Sequence, residues 1–182
     1  MAPPEAGASA ADCARTSCRL ATAILVDDRG WLLLQERDEH APLAPLQWGL
    51  VGGHVDPGEE WTDAVWRELW EETGFGPGEA PDLHLWRELE TTHAPKRDPR
   101  LRDRWQVWIG RTSATDADVR LGEGRQILFV DPQRVRDRDL DLAPGAATVL
   151  EQLLASAAYA ELCPPTRRAG PAAGSASAGS PP

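Results

Sequence analysis

Residues 53–59 read Gly53-His54-Val55-Asp56-Pro57-Gly58-Glu59, and residues 67–75 read Arg67-Glu68-Leu69-Trp70-Glu71-Glu72-Thr73-Gly74-Phe75. Residues 60–73 have helical spacing, and Gly74 supplies a normal helix stop. On such a helix Glu68, Glu71 and Glu72 stand at i, i+3 and i+4 and share one face within a turn. Three carboxylates so close repel one another, and helix propensity does not require them there. A solvated acidic face is the ordinary outcome of a charge run. A divalent cation would remove the repulsion. Hard cations such as Mg²⁺ prefer carboxylate oxygens and keep waters and substrate phosphates as further ligands.

Outward from this stretch the periodicities are those of an α/β domain. Residues 20–26 and 31–35 are apolar runs split by Asp27-Asp28-Arg29-Gly30, a hairpin signal. Residues 48–55 form a short extended piece broken by Gly52 and Gly53. Residues 83–91, 104–112 and 126–130 read as strands, and 146–158 as one amphipathic helix with Val149, Leu150, Leu153 and Leu154 on a face. Strands on either side of a strong helix, with another helix at the end, predict a mixed sheet between helices.

The chain of 182 residues carries 29 Asp and Glu against 19 Lys and Arg, a net charge of −10, which argues against a partner such as a nucleic-acid polymer. An acidic protein acting on an anion needs cations as go-betweens. Cys13, Cys18 and Cys163 cannot all pair within one chain, so a reducing compartment fits. The run 20–26 is too short to span a bilayer and lacks a basic leader, so no membrane segment or signal peptide is expected, and the cytoplasm is the expected location. Residues 164–182 are almost wholly Pro, Ala, Gly and Ser, and the first 17 residues are similarly small and polar. Neither end can bury a core. The expected domain is 18–163, between disordered tails at 1–17 and 164–182.

The spacing of Gly53, Glu59, Arg67-Glu68-Leu69, Glu71-Glu72 and Gly74-Phe75 matches the Nudix box at every fixed position. The chain resembles the Nudix hydrolases over 53–75, and more loosely over 20–154. Trp48-Gly49-Leu50 and Pro57-Gly58-Glu59 are also similar to the family. Val51 departs from it, since members often carry Pro before the glycine pair. The resemblance implies an α/β/α sandwich and a loop–helix–loop cradle that holds Mg²⁺ or Mn²⁺ against a diphosphate. It implies metal oxygens from Glu68, Glu71 and Glu72, and support of the site by Gly53, Glu59 and Arg67, the last pairing with a box glutamate. Gly52 lets backbone approach closely and can present a carbonyl to the metal. The catalytic base is then Glu68 or another box glutamate such as Glu71, or Glu123 on a later loop, where relatives often place Glu followed by Gly. Glu123 is a candidate ligand as well. Gln35 and Arg37 end the second strand, where relatives often contact the nucleotide.

The implied activity is cleavage of a nucleoside diphosphate linked to another moiety. The arrays typical of NADH, coenzyme A and ADP-ribose pyrophosphatases are missing, as are those of dinucleoside polyphosphate hydrolases and isopentenyl diphosphate isomerases. A nucleoside triphosphate, modified or oxidised forms included, is the expected small-molecule substrate, released as a monophosphate and pyrophosphate. A nucleotide-sugar or dinucleotide pyrophosphatase, or a non-catalytic nucleotide-sensing domain, is the alternative. Gly145-Ala146-Ala147 offers no polar side chain where some relatives read the base.

Eight of the eleven aromatic residues are Trp. Trp66 and Trp70 point away from the glutamate face. They call for burial, against the rest of the domain or against a second copy in a homodimer. Trp48 is expected in the core. His93, Lys96, Arg97, Arg100, Arg102 and Arg104 form the one basic cluster of the core, either a solvated hairpin tip or a cover for substrate phosphates. His54 reads as polar surface.

Overall fold

The computed structural model describes residues 15–91, 98 and 100–163. Six strands form one mixed sheet in the order β4-β5-β1-β3-β2-β6. The strands are β1 (Arg19–Val26), β2 (Leu32–Glu36), β3 (Trp48–His54), β4 (His84–Thr91), β5 (Asp103–Arg111) and β6 (Gln126–Val130). β1 and β5 run parallel along their whole length, and every other neighbour is antiparallel. β1 lies near the centre and is buried from Leu20 onwards, which its continuous apolar run requires.

The hairpin expected from 20–35 forms, but β1 and β2 pair only at Val26 and Leu32. Beyond that point β3 wedges between them and pairs with both. The first long helix, α1 (Trp61–Thr73), ends at Gly74, whose φ of 74° lets its N–H reach Trp70 O at 2.9 Å. It packs on one sheet face against Ala21, Ala23, Leu25 and Leu33 through Val65 and Leu69. The alanines of β1 allow that close approach. The opposite face, built on Leu20, Ile24, Leu34, Leu50 and Val107, is covered by α3 (Pro144–Leu154) and α4 (Ala157–Leu162). The α/β/α layering is therefore the expected one.

The single helix expected over 146–158 is in fact two. Ser156 caps the second by accepting from Tyr159 N–H, while its own hydroxyl donates to Leu153 O at 2.7 Å. Pro144 starts the first helix two residues earlier than expected. A short helix, α2 (Pro132–Arg136), adds to the expected set. Asp131 accepts from Gln133 N–H at 2.8 Å and Pro132 opens the turn, a start signal present in the sequence.

Trp48 is buried in the core as expected. Trp66 is half-buried against the α1-side core, but Trp70 is 58% exposed, so the domain itself covers only the first of the two. His93, Lys96 and Arg97 lie outside the described residues, as do Cys13 and the expected tails except for residues 15–17, which are exposed. In the rest of the basic cluster, Arg100 pairs with Asp98 at 2.7 Å and Arg104 with Glu88 at 2.5 Å, both at the surface.

Candidate active site

A cleft of about 460 Å³ opens at the sheet end where β1 and β5 begin and β3 finishes. Glu68, Glu71, Glu72 and Glu123 all line it, so two separate sequence segments supply one acidic wall. Leu20, Leu50, Trp105, Ala143 and Ala146 supply an apolar wall opposite in character.

Glycines bring α1 to this wall. A Cβ on Gly53 would stand 2.7 Å from Glu68 Oε1, so the bare backbone is what admits that carboxylate. Gly52 has φ 125°, and a Cβ there would lie 2.3 Å from Ala21 O on the neighbouring strand. Its N–H donates to Glu72 Oε2 at 2.8 Å. On the other side, Gly122 N–H donates to Glu72 O at 2.9 Å, docking the loop on the last turn of the helix. Gly124, at φ 83°, passes against Glu36 O. Glu123 is thus held toward α1 by the glycines on either side of it.

Arg67 is the hub beneath the carboxylates. Its guanidinium donates to both oxygens of Glu59 at 2.9 and 3.0 Å, to Glu68 at 2.8 Å, to Glu71 at 3.2 Å and to His54 O at 2.9 Å. Only a planar fork of five donors can serve that many acceptors at once. Glu59 also accepts from Asp56 N–H at 2.9 Å across the Pro57-Gly58 turn. The Arg67 hydrogen bond holds the Glu59 carboxyl below its ordinary range, and Glu59 in turn raises the guanidinium.

Glu72 is only 6% exposed. Burial pushes its carboxyl up to about 8, against the opposing pull of the Gly52 N–H, while the charges of Glu68 and Glu123 add to the rise. Glu68 moves up as well, through burial first, with Arg67 opposing it and Glu71 and Glu123 reinforcing it. The four glutamates are close enough to feel one another, and like-charge crowding of this kind marks functional sites.

Gln35 requires a correction. Its side chain is buried and donates to Glu72 Oε1 at 3.0 Å and to Glu123 O at 3.3 Å, behind the acidic wall and away from the cleft lining. It ties α1 to the 122–124 loop. Arg37 does line the cleft, with its Nε on Leu43 O at 2.9 Å. His54 and Asp56 line it too. Sequence reasoning missed Thr22, Asp56 and the apolar wall. The one polar residue inside the buried run 20–26 was the available signal for Thr22.

A family model for the NUDIX domain matches residues 17–153. The chain belongs to the Nudix family. The m7GpppN-mRNA hydrolase NUDT17 of Bos taurus is 39% identical over 69 residues, 36% of this chain and 22% of that protein. Nudix hydrolase 19, chloroplastic, of Arabidopsis thaliana is 33% identical over 84 residues, 42% of this chain and 19% of that protein. Those alignments span about a fifth of the length of each curated relative. Among solved structures, the MutT protein from Methanosarcina mazei Go1 superposes with a TM-score of 0.57 at 23% identity, over 76% of this chain and 93% of that one. A C. elegans Ap4A hydrolase gives 0.56 at 19% identity, over 76% and 96%. Both share the Nudix fold seen here.

The Nudix helix α1 offers carboxylate oxygens alone, a donor set that suits a hard divalent cation. As the side chains are placed, no three His, Cys, Asp or Glu among the described residues enclose an ion. The reason is visible in the hub: Arg67 holds Glu68 and Glu71, while Gly52 and Gln35 hold Glu72. The chemistry of the donors fits a metal, which Glu68, Glu71 and Glu72 would hold. No helix among the described residues is long and apolar enough to cross a membrane.

Proposed function

We propose that this protein hydrolyses the pyrophosphate bond of a nucleoside diphosphate linked to another moiety, with a nucleoside triphosphate as the preferred substrate. The observation that carries the reading is one cleft with two walls. Four mutually repelling glutamates face an apolar surface fit for a base. Glu68, Glu71, Glu72 and Glu123 would hold Mg²⁺ or Mn²⁺, with the Gly52 carbonyl as a further oxygen. Such an ion, when bound, neutralises phosphate oxygens and makes a water more acidic.

The chain's own residues do the rest. Glu123 or Glu68 takes the proton from the attacking water, and the anhydride P–O bond breaks as the new P–O bond forms. Glu123 stands on a loop facing the helix and is not tied to Arg67, which suits it to this task. Arg67 keeps Glu59, Glu68 and Glu71 in register, and Gln35 does the same for Glu72. Arg37 brings a cation to the cleft for the phosphates. The apolar wall excludes water from one side of the nucleotide.

The test is product analysis by mass spectrometry after incubation with Mg²⁺ or Mn²⁺ and with EDTA. The panel holds nucleoside triphosphates, oxidised triphosphates, nucleotide sugars and ADP-ribose. It also holds diadenosine tetraphosphate and capped RNA, since relatives carry these in their names. The expected product is a nucleoside monophosphate with pyrophosphate, formed only with metal. Nucleotide binding with no turnover in either metal would replace this reading with that of a sensing domain.

A further inference from the structure

At the last turn of α1, away from the cleft, lies a groove of about 670 Å³. Trp70 lines it, and so do Gly74, Gly78 and Ala114, whose small size leaves a slot open beside the indole. Trp70 is 58% exposed, and Leu121, the neighbour of groove-lining Arg120, is 50% exposed. Large apolar side chains grouped in this way mark an interaction surface. The fold does not need Trp70 for packing, since Trp66, one turn earlier, already meets the core.

The groove also carries charges of both signs. Arg120 lays its stem on Gly74, whose missing Cβ would stand 3.1 Å from Arg120 Cδ. Its guanidinium makes no ion pair among the described residues. Glu79 accepts from Gly76 N–H at 2.9 Å through Oε2. Asp118 accepts from the N–H and the hydroxyl of Thr115, both at 2.8 Å and both through Oδ2. Each carboxylate is held in place by its own turn and keeps one oxygen for another donor.

We propose that this groove is the contact between two copies of the chain related by a twofold axis. Trp70 of each copy enters the slot of the other, and Arg120 of each meets the Glu79 and Asp118 carboxylates opposite. A twofold contact requires one surface to hold both knob and hole and both signs of charge, and this surface does. Other occupants match it less well. The only charged side chains beyond Cys163 are Arg167 and Arg168, which would leave Arg120 unpaired. An anionic small molecule would face two fixed carboxylates. The apolar part of the contact is small beside the roughly 1,200–2,000 Å² of a stable interface. The dimer is therefore reversible, half-formed between about 1 and 100 μM.

The groove also connects to the cleft. Arg120 N–H donates to Thr73 O and Gly122 N–H to Glu72 O, both at 2.9 Å. The segment that leads from the groove to Glu123 thus lies along the last turn of α1. A second copy seated on Arg120 braces that segment and steadies Glu123, so the dimer is the faster form. This consequence for turnover, and not the dimer itself, rests on the hydrolase reading above.

The test is sedimentation velocity of the full chain from about 1 to about 200 μM, with turnover per chain followed over the same range. The wild type should pass from monomer to dimer, and turnover per chain should rise about fivefold as it does. Trp70→Gln should keep its melting temperature, because the side chain stands mostly in water, and stay monomeric throughout. Arg120→Glu should weaken association about tenfold or more, and adding Glu79→Arg and Asp118→Arg to it should restore the dimer. A wild type that is monomeric at the highest concentration overturns the proposal. So does a dimer that folded Trp70→Gln leaves intact. Failure of the charge reversal to restore association overturns the pairing of Arg120 with the two carboxylates. A dimer whose turnover per chain stays constant overturns the bracing of Glu123. The hydrolase reading fails separately: a dimer with these responses and no metal-dependent turnover on the wider panel would end that reading and leave the contact standing.

Discussion

At the scale of single residues, Glu72 is the most buried of the four glutamates that line the cleft. Its folded-state carboxyl titrates near 8, well above its ordinary 4.5. A raised carboxyl stabilises the fold fully below the ordinary value, and that contribution is lost as pH climbs through the folded value. In EDTA the melting temperature should therefore fall between about pH 5 and pH 8, and Glu72→Gln should flatten the slope. Glu59 works in the opposite sense and in a separate window. Its lowered carboxyl stabilises above the ordinary value and is lost on acidification below it. Saturating Mg²⁺ should raise the melting temperature more at pH 8 than at pH 6, because protons and metal compete for the same oxygens. Thermal scans across pH, with and without metal, check all three statements. Gln35 offers a test of its corrected place. Gln35→Leu should weaken metal affinity about 10–100-fold, the usual cost of losing a partner that orients a ligand. Saturating metal should then restore the nucleotide KM. A KM defect that persists at saturating metal would return Gln35 to the substrate.

At the scale of elements, two adjacent glycines of β3 do different jobs, and substitution should separate them. Gly52→Ala drives a Cβ to 2.3 Å from the backbone oxygen of Ala21, at a φ of 125°. Backbone cannot yield as a side chain can, so the cost falls on the fold: about 2 kcal/mol or more, read as a lower denaturant midpoint. Gly53→Ala meets first the carboxylate of Glu68, at 2.7 Å. That side chain can swing away. The fold should then survive, while turnover drops about a hundredfold as Glu68 leaves the acidic wall. These placements were partly legible. The residues from Gly53 to Phe75 gave the helix, its stop and its acidic face by spacing alone. The break between α3 and α4 was not legible, since Ala155-Ser156 sits inside a pattern that a longer helix fits equally well. The first helix ends where Ser156 turns extended, its N–H and its hydroxyl both donating to Leu153 O. Gln35 was misplaced for a related reason: its position on β2 was right, but which way its amide faces depends on α1 packing beneath it.

At the scale of the whole molecule, the described fold closes on itself without the chain ends. β1 begins at Arg19, and Val55 N–H and Arg104 N–H donate to Arg19 O and Cys18 O, so the first strand is tied in from its start. α4 is fastened by Tyr159, whose hydroxyl donates to Gly30 O at 2.6 Å across the sheet. The layers were legible because a continuous apolar β1 must be covered on both faces. The parallel pairing of β1 with β5 was not, since contacts between distant segments leave no periodicity in either. Beyond Cys163 the remaining residues are nearly all Pro, Ala, Gly and Ser. We propose that 18–163 is the folded unit. A chain trimmed to 15–163 should then melt within about 2 °C of the full chain and keep its kcat/KM, for it loses no buried contact named here. Trimming that lowers the melting temperature by more than this would mean the ends pack on the domain. The exposed Trp70 would then be the first surface to probe, because its fluorescence would move to the red as a covering segment was removed.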